Sequence, residues 1–407
     1  MQGALSHIRV LDLTRILAGP WCTQNLADMG AEVIKVERPG VGDDTRSWGP
    51  PWLKDEKGAP LTDSTYFSST NRGKKSITVD ISTPDGQKII QQLLESCDVL
   101  VENYKVGDLK RYGLDYDSIK RTHPSIIYCS VTGFGQDGPY SHRPGYDYVF
   151  QGMGGLMSIT GERDDLPGGG PQKVGIAVAD ITTGLYATVA ILGALVHRAQ
   201  TGIGQYIDTA LLDCIVAFGS NQVANYFATG NLPKRYGNAH ANAVPYGVFD
   251  TSDGEMILAV ANDAQWQKFC RAMEQPELAS DPLFISTPSR LSNRDQLIPK
   301  VAAILANFKR DYLLEQLEKH GVPCGPINNY AQTFQDPHVQ HRKLRTTIKH
   351  PDGHEVDTVS SPIRLSETPV QYKLAPPLLG QHNDEILSSL LGLTEETLAA
   401  YRKQGII

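Results

Sequence analysis

No two of the six cysteines, Cys22, Cys97, Cys129, Cys214, Cys270 and Cys324, fall within four positions of each other. That spacing excludes a CxxC redox or zinc motif and offers no disulfide framework, so a reducing compartment is expected. An HExxH helix is missing, and no metal site is expected. No GxSxG elbow presents a nucleophilic serine. Positive charge is not in excess either. The net charge is −7, which argues against non-specific binding to nucleic acid or to an anionic membrane. The longest apolar run, ATVAILGALV (187–196), is too short to span a bilayer. The N-terminus, MQGALSHIRVLDLTR, lacks the basic-then-apolar plan of a signal peptide. Internal repeats and low-complexity blocks are absent from the sequence. The expectation is a cytoplasmic protein with neither nucleic-acid nor membrane partners.

A chain of 407 residues is too long for one typical core, so two domains are expected. Over the first two hundred residues, strand-like and helix-like segments alternate. IRVLDLT (8–14), EVIKVER (32–38), KSITVDI (75–81), DVLVENY (98–104) and SIIYCSVTGFG (125–135) have the apolar content of buried strands. AGPWCTQNLADMGA (18–31) and DGQKIIQQLLESC (85–97) have helical periodicity. Such alternation predicts an α/β fold with a Rossmann-like, doubly wound parallel sheet over 1–205. A linker helix is predicted over 206–225, within QYIDTALLDCIVAFGSNQVANYFATG (205–230). A small α+β domain follows over 226–325, with a hairpin in GVFDTSDGEMILAVA (247–261) turning near Asp253-Gly254. Residues 326–407 are expected as an extended segment returning to the large domain. The first turn, TRILAGPW, lacks GxGxxG, so its backbone cannot approach a pyrophosphate as NAD binding needs.

Polar residues cluster where strands end, the usual ligand edge of an open α/β sheet. VERPG (36–40) brings Arg38, NRGKKS (71–76) packs three cations beside a glycine, and ENY (102–104) leads to Lys105, Lys110 and Arg111. In KVGIAVADITTGLYATVAILGAL (173–195), an apolar run with the look of a buried strand stops at one carboxylate, Asp180. A Thr-Thr-Gly turn and a long apolar helix follow. A carboxylate at that junction faces the positive end of a helix dipole, which favours its ionised form. Two roles are open to it: helix cap, or nucleophile toward an acyl group.

These segments, together with GFGQDGP (133–139), GVPCGPINN (321–329) and APPLLGQH (375–382), resemble in order the family III CoA-transferases of the formyl-CoA transferase and CaiB/BaiF type. The resemblance implies a Rossmann-like large domain, a small domain, and an interlocked homodimer. It implies coenzyme A as a substrate and no permanently bound cofactor. Asp180 is then the nucleophile, passing through an aspartyl anhydride and an aspartyl-CoA thioester. Ile16, Leu17, Arg38, Arg72, Lys74, Asn103, Tyr104, Arg111 and Arg143 match the family's CoA contacts. Tyr146 and Asp147 match residues beside the catalytic carboxylate. GNAHANAVPYG (237–247) stands where formyl-CoA transferases carry four glycines. The related α-methylacyl-CoA racemases use a histidine in a GHD motif, where this chain has GYD with Tyr146. A phenol is a poor base near neutral pH, so racemisation stays the alternative. DDTRSWGPP (43–51), NRGKKSI, VENY and GPINN resemble the succinate–hydroxymethylglutarate (glutarate) CoA-transferases. That implies succinyl-CoA as donor and glutarate or 3-hydroxy-3-methylglutarate as acceptor, with oxalate, malate and citramalate as alternative acids. Arg46, Arg72 and His240 are the candidates for a second substrate carboxylate.

Overall fold

The computed structural model describes residues 2–55, 57–350 and 353–407. The described chain divides into two compact units. The first contains residues up to Leu156, Lys173–Gly230 and Gln340–Ile407. Its centre is a six-stranded sheet of β1 (Arg9–Asp12), β2 (Glu32–Glu37), β3 (Lys74–Thr78), β4 (Val99–Glu102), β5 (Ile127–Thr132) and β6 (Tyr206–Ala210). The strand order is β3-β2-β1-β4-β5-β6, and every pairing is parallel. A parallel sheet is covered on both faces, which is why its strands are continuous apolar runs rather than alternating ones.

On one face, Val10, Val33, Val101, Ile127 and Val131 pack with α1 (Ala18–Asp28) and α4 (Val178–Thr201). On the other, Leu11, Ile34, Leu100 and Tyr128 pack with α2 (Pro84–Leu94) and with Ile386, Leu387, Leu398 and Ile407 from the chain's end. The helices α1 and α4 approach closely at Gly184, where a Cβ would stand 2.6 Å from the Ala18 carbonyl oxygen. Glycine in a helix interior costs about 1 kcal/mol of helix propensity, and here it lets α4 bring Asp180 up to the start of α1. By length and composition α4 could cross a membrane, but 56% of its most apolar stretch is buried inside the protein.

Three sequence expectations change. Residues 173–177 form no strand. Their backbone bonds a side chain instead of a ladder: Gln151 accepts the Val174 N–H at 2.8 Å and donates to the Ile176 carbonyl at 3.3 Å. Second, the predicted linker helix over 206–225 begins as edge strand β6. It continues as α5 (Leu211–Phe218) and α6 (Ser220–Thr229), all within the first unit. Third, the final segment is only partly extended. Among the described residues it carries four helices, Tyr330–Gln335, Pro337–His341, Asn383–Leu391 and Glu395–Lys403, and residues 340–407 belong to the first unit while 326–339 do not. This segment also closes the β3 edge, since the Ser76 and Thr78 N–H groups donate to His382 Nδ1 (3.1 Å) and Asn383 Oδ1 (2.8 Å). Covering an edge in this way removes a template for unwanted pairing.

The second unit contains Met157–Gln172 and Asn231–Val339. Here β7 (Tyr246–Thr251) and β8 (Gly254–Ala259) form the expected hairpin, and β9 (Cys324–Pro326) completes an antiparallel sheet. Trp266, Phe269, Phe284, Leu297 and Leu313 build its core. His350 and His354, four residues apart, each adjoin one of the paired strands Arg345–Lys349 and Glu355–Val359 in the first unit. Among the described residues, no group of three His, Cys, Asp or Glu side chains is arranged to hold a metal.

Candidate active site

The turns that follow β1, β4 and β5 enclose a cavity of about 210 Å³. Ile16, Leu17, Asn103, Tyr104, Arg143 and Tyr146 line it, and Asp180 is on its wall. Asp180 is the third residue of α4, whose N-cap is Ala177. It is therefore not the cap. That task falls to Asp147, the first residue of α3 (Asp147–Met153). Asp147 Oδ1 accepts the N–H groups of Ala179 (2.7 Å) and Asp180 (3.4 Å), and Oδ2 accepts a hydrogen from Gln151 at 2.6 Å. Two of the unsatisfied donors at the start of α4 are thus met by a carboxylate from another helix. Tyr146, which precedes Asp147, is largely exposed on the cavity wall.

The helix end was expected to favour ionised Asp180. Instead, burial and then the Asp147 charge push its pKa up to about 7, while the Ala18 backbone amide pulls the other way. The field of one helix terminus is smaller than the desolvation of a half-buried carboxylate beside a like charge. Near neutral pH the group is divided between acid and carboxylate. The Tyr66 phenol, missed by the sequence reading, is pushed up to about 12 by burial and by the charges of Asp180, Asp147 and Asp43.

A second cavity, of about 440 Å³, shares Arg15 and Tyr104 with the first. Arg38 and Arg111 line it, together with Val79, Asp80, Ile81 and Ser82 just beyond β3. The sequence reading did not single out Arg15 or residues 79–82, although the strand-end rule that found Arg38 applies equally after β3.

Three expected ligand cations are not available. Arg46 is buried, bonding Glu37 at 2.7 and 2.8 Å, Asp63 at 2.8 Å and the Pro377 carbonyl at 3.0 Å. Its guanidinium lies 3.7 Å over the Phe67 ring. Arg72 makes a bidentate pair with Asp28 at 2.6 and 2.9 Å and reaches Thr358 at 3.1 Å. Lys74 is fully buried against Asp12 (3.1 Å), Asn71 (2.8 Å) and the Pro20 carbonyl (3.0 Å). None of the three lines either cavity. A cation beside a glycine looks the same in sequence whether it awaits an anion or already has one. His240 belongs to the second unit, where its ring stacks on Tyr246 at 4.9 Å and its Nδ1 accepts the Asn242 N–H at 3.0 Å.

A parallel sheet with a half-buried acid beside its strand-end cavities has the plan of an α/β enzyme, and comparison with known proteins states which kind. The chain belongs to CoA-transferase family III, whose model matches residues 5–383. It is similar to a succinate–glutarate CoA-transferase of Agrobacterium fabrum, 46% identical over 95% of this chain and 95% of that protein. A succinyl-CoA:mesaconate CoA-transferase of Haloarcula hispanica is 41% identical over 95% of this chain and 96% of its own length. Among solved structures, a CAIB/BAIF family protein from Brucella suis superposes with a TM-score of 0.83 at 46% identity. That match covers 96% of this chain and 100% of the other. This protein is thus a CoA-transferase, with CoA thioesters as its substrates.

Proposed function

We propose that the enzyme moves CoA from succinyl-CoA to a small dicarboxylate, glutarate first, with Asp180 as the covalent nucleophile. The observation that carries this reading is a half-buried carboxylate, poised near pKa 7 with no cation among the causes of its shift, on the wall of a strand-end cavity. The names of the relatives supply the acids. An Asp180 oxygen attacks the thioester carbonyl, the C–S bond breaks, and a mixed anhydride and CoA thiolate result. The thiolate then attacks the Asp180 acyl carbon, releasing succinate and leaving an aspartyl-CoA thioester. The acceptor carboxylate attacks that thioester and expels the thiolate, which takes the acyl group from the second anhydride and restores Asp180. Each step exchanges one acyl bond for another, so no water or net proton is consumed. Excluding water preserves the intermediates.

Mass spectrometry of succinyl-CoA crossed with glutarate, 3-hydroxy-3-methylglutarate, mesaconate, malate, citramalate, oxalate and butyrate tests the reading. Glutaryl-CoA formed ahead of butyryl-CoA supports it. A monocarboxylate outcompeting every dicarboxylate removes the substrate assignment, and racemisation of a 2-methylacyl-CoA without CoA exchange removes the transfer. Hydroxylamine added during turnover is expected to label the Asp180 peptide.

The working form in this reading is a cytoplasmic homodimer. Tyr186, Val189 and Val196 of α4 and Val216, Phe218 and Phe227 of the helices after it are exposed. That is more large apolar side chains than a monomer's surface ordinarily leaves on adjoining elements. Light scattering should give twice the 44.5 kDa chain mass, and an active monomer would contradict it.

A further inference from the structure

Ile16 has φ 73°, in the left-handed region that β-branched residues avoid. It lies in the turn from β1 into α1. Strain of this kind persists only where the surroundings impose it, and here two groups do. Asn103, just past β4, grips Arg15 with both ends of its carboxamide. Its Oδ1 accepts the Arg15 N–H at 2.9 Å, and its Nδ2 donates to the Arg15 carbonyl at 2.7 Å. Asp43 accepts the Ile16 N–H at 3.2 Å, and is itself held by buried Lys35 at 2.9 Å. Two residues after Ile16, Ala18 opens α1 on the same cavity as Asp180, and its backbone amide is the group that favours the Asp180 carboxylate. Residues 15–18, Asn103 and Asp180 line one cavity.

We propose that Asn103 is a positioning residue whose two bonds to Arg15 impose the left-handed Ile16 and thereby aim the Ala18 N–H at Asp180. This rests on the reading of Asp180 as nucleophile. It differs from the direct CoA contact that the resemblance implied, because both ends of the carboxamide are engaged within the chain. When thiolate or acceptor adds to the Asp180 acyl carbon, negative charge develops on the Asp180 oxygen. A fixed N–H aimed there acts on the transition state more than on bound substrate.

The full-length protein is assayed with succinyl-CoA and glutarate as wild type, Asn103→Ala, and Asn103→Ala combined with Ile16→Gly. Asn103→Ala should lower kcat on the order of 10- to 100-fold, as misplacement near a reacting centre does. KM for succinyl-CoA should stay within about threefold, since a transition-state interaction is lost. The acidic limb of the kcat profile should move to higher pH, because a donor to the carboxylate is lost. Adding Ile16→Gly should restore kcat at least about threefold, because glycine takes φ > 0 without strain. A raised KM with kcat retained makes Asn103 a CoA ligand and overturns the proposal. A fall in kcat with no shift of the acidic limb and no rescue by Ile16→Gly also overturns it. Should Asn103→Ala not fold, Asn103→Asp, which keeps the acceptor and loses the donor, carries the same comparison. Failure of the underlying reading shows elsewhere: wild type would not exchange CoA, or Asp180→Asn would keep full turnover.

Discussion

Two sets of charged side chains lie around the large sheet, and they follow opposite plans. In the inner set, Arg46 is paired with Glu37 and Asp63, Arg72 with Asp28, Lys35 with Asp43 and Lys74 with Asp12, all buried. Against the upward push of burial, Lys74 and Lys35 hold Asp12 down at about 2. In the outer set, Arg38, Arg111 and Arg143 are exposed on the cavity walls. Arg143 rests on aromatic faces, 4.5 Å from Tyr140 and 5.6 Å from Phe134, and Asp180 is left without a cation. Inside, each charge is neutralised by the fold. In the outer set the pairing is sparse: among the described residues, Arg111 alone of the three has an acid near it, Asp108 at 3.9 Å, which fits the proposal that a ligand supplies the counter-charge. An available partner, more than the residue type, separates a binding cation from a structural one.

The largest expected break in this contrast is Asp180→Asn. Transfer should fall by roughly 10⁴-fold or more, as for loss of other covalent nucleophiles, with acyl-CoA binding retained in equilibrium titration. The wild-type pH profile sharpens it. In the proposed mechanism only the ionised carboxylate attacks, so kcat should rise about tenfold per pH unit below about pH 7 and flatten above it. Stability should run the other way. The folded pKa lies above the unfolded one, so folded Asp180 keeps its proton between the two and stability declines as pH rises toward 7. Asp180→Asn should therefore melt higher than wild type at pH 8 and level with it near pH 4. A variant that is both active and no more stable at pH 8 would reduce Asp180 to an ordinary helix residue.

Next in size is the pair Arg143→Ala and Arg46→Ala, one from each set. Arg143→Ala should raise KM for the acyl-CoA about tenfold, in keeping with loss of one charge-assisted contact. It should change stability by no more than about 0.5 kcal/mol, as an exposed position does. Arg46→Ala should lower stability by about 3–5 kcal/mol, the cost of leaving Glu37 and Asp63 buried without their cation. The protein that remains folded should keep its KM. Chemical denaturation and steady-state kinetics on both variants measure this, and exchanged outcomes would erase the distinction between the sets.

What was legible in the sequence follows the same division. Five of the six strands and their parallel class could be read because a doubly buried sheet requires apolar runs, as in VLVE (99–102) and IYCSVT (127–132), whereas the edge strand β6 was hidden in the predicted linker helix. Asp180 stood out because one acid ended an apolar run. Arg46 and Arg72 misled because their partners lie on other elements, Glu37 at the end of β2, Asp63 in the strand pair Trp52–Lys54 with Pro60–Ser64, and Asp28 at the end of α1, and local sequence does not show which elements meet. The loop before Asp180 misled for a related reason. Its backbone partner is the side chain of Gln151, 23 residues from Val174, and local periodicity carries no trace of such a bond.

Glu102 gives the smallest effect on turnover and the finest test, since it has features of both sets. It is buried like the inner carboxylates, yet no cation answers it, and burial pushes its pKa up to about 7. Its carboxyl bonds the Ser130 hydroxyl and accepts the Tyr104 N–H at 2.8 Å, so it sits directly behind two residues of the cavity wall, Asn103 and Tyr104. Glutamine keeps the shape and an acceptor for Tyr104, so Glu102→Gln should change kcat and KM by no more than about threefold. Stability is where the substitution should tell. Folded Glu102 holds its proton to about pH 7, whereas the unfolded side chain loses it near its ordinary value. Wild-type stability therefore declines between those two pH values and stays low above them. Glu102→Gln has nothing to ionise. Near pH 4 the two proteins should unfold at similar denaturant concentrations, and above pH 8 the variant should be more stable by about 1–3 kcal/mol. A variant less stable at pH 8 would mean that Glu102 is ionised and answered by a positive group, as in the inner set.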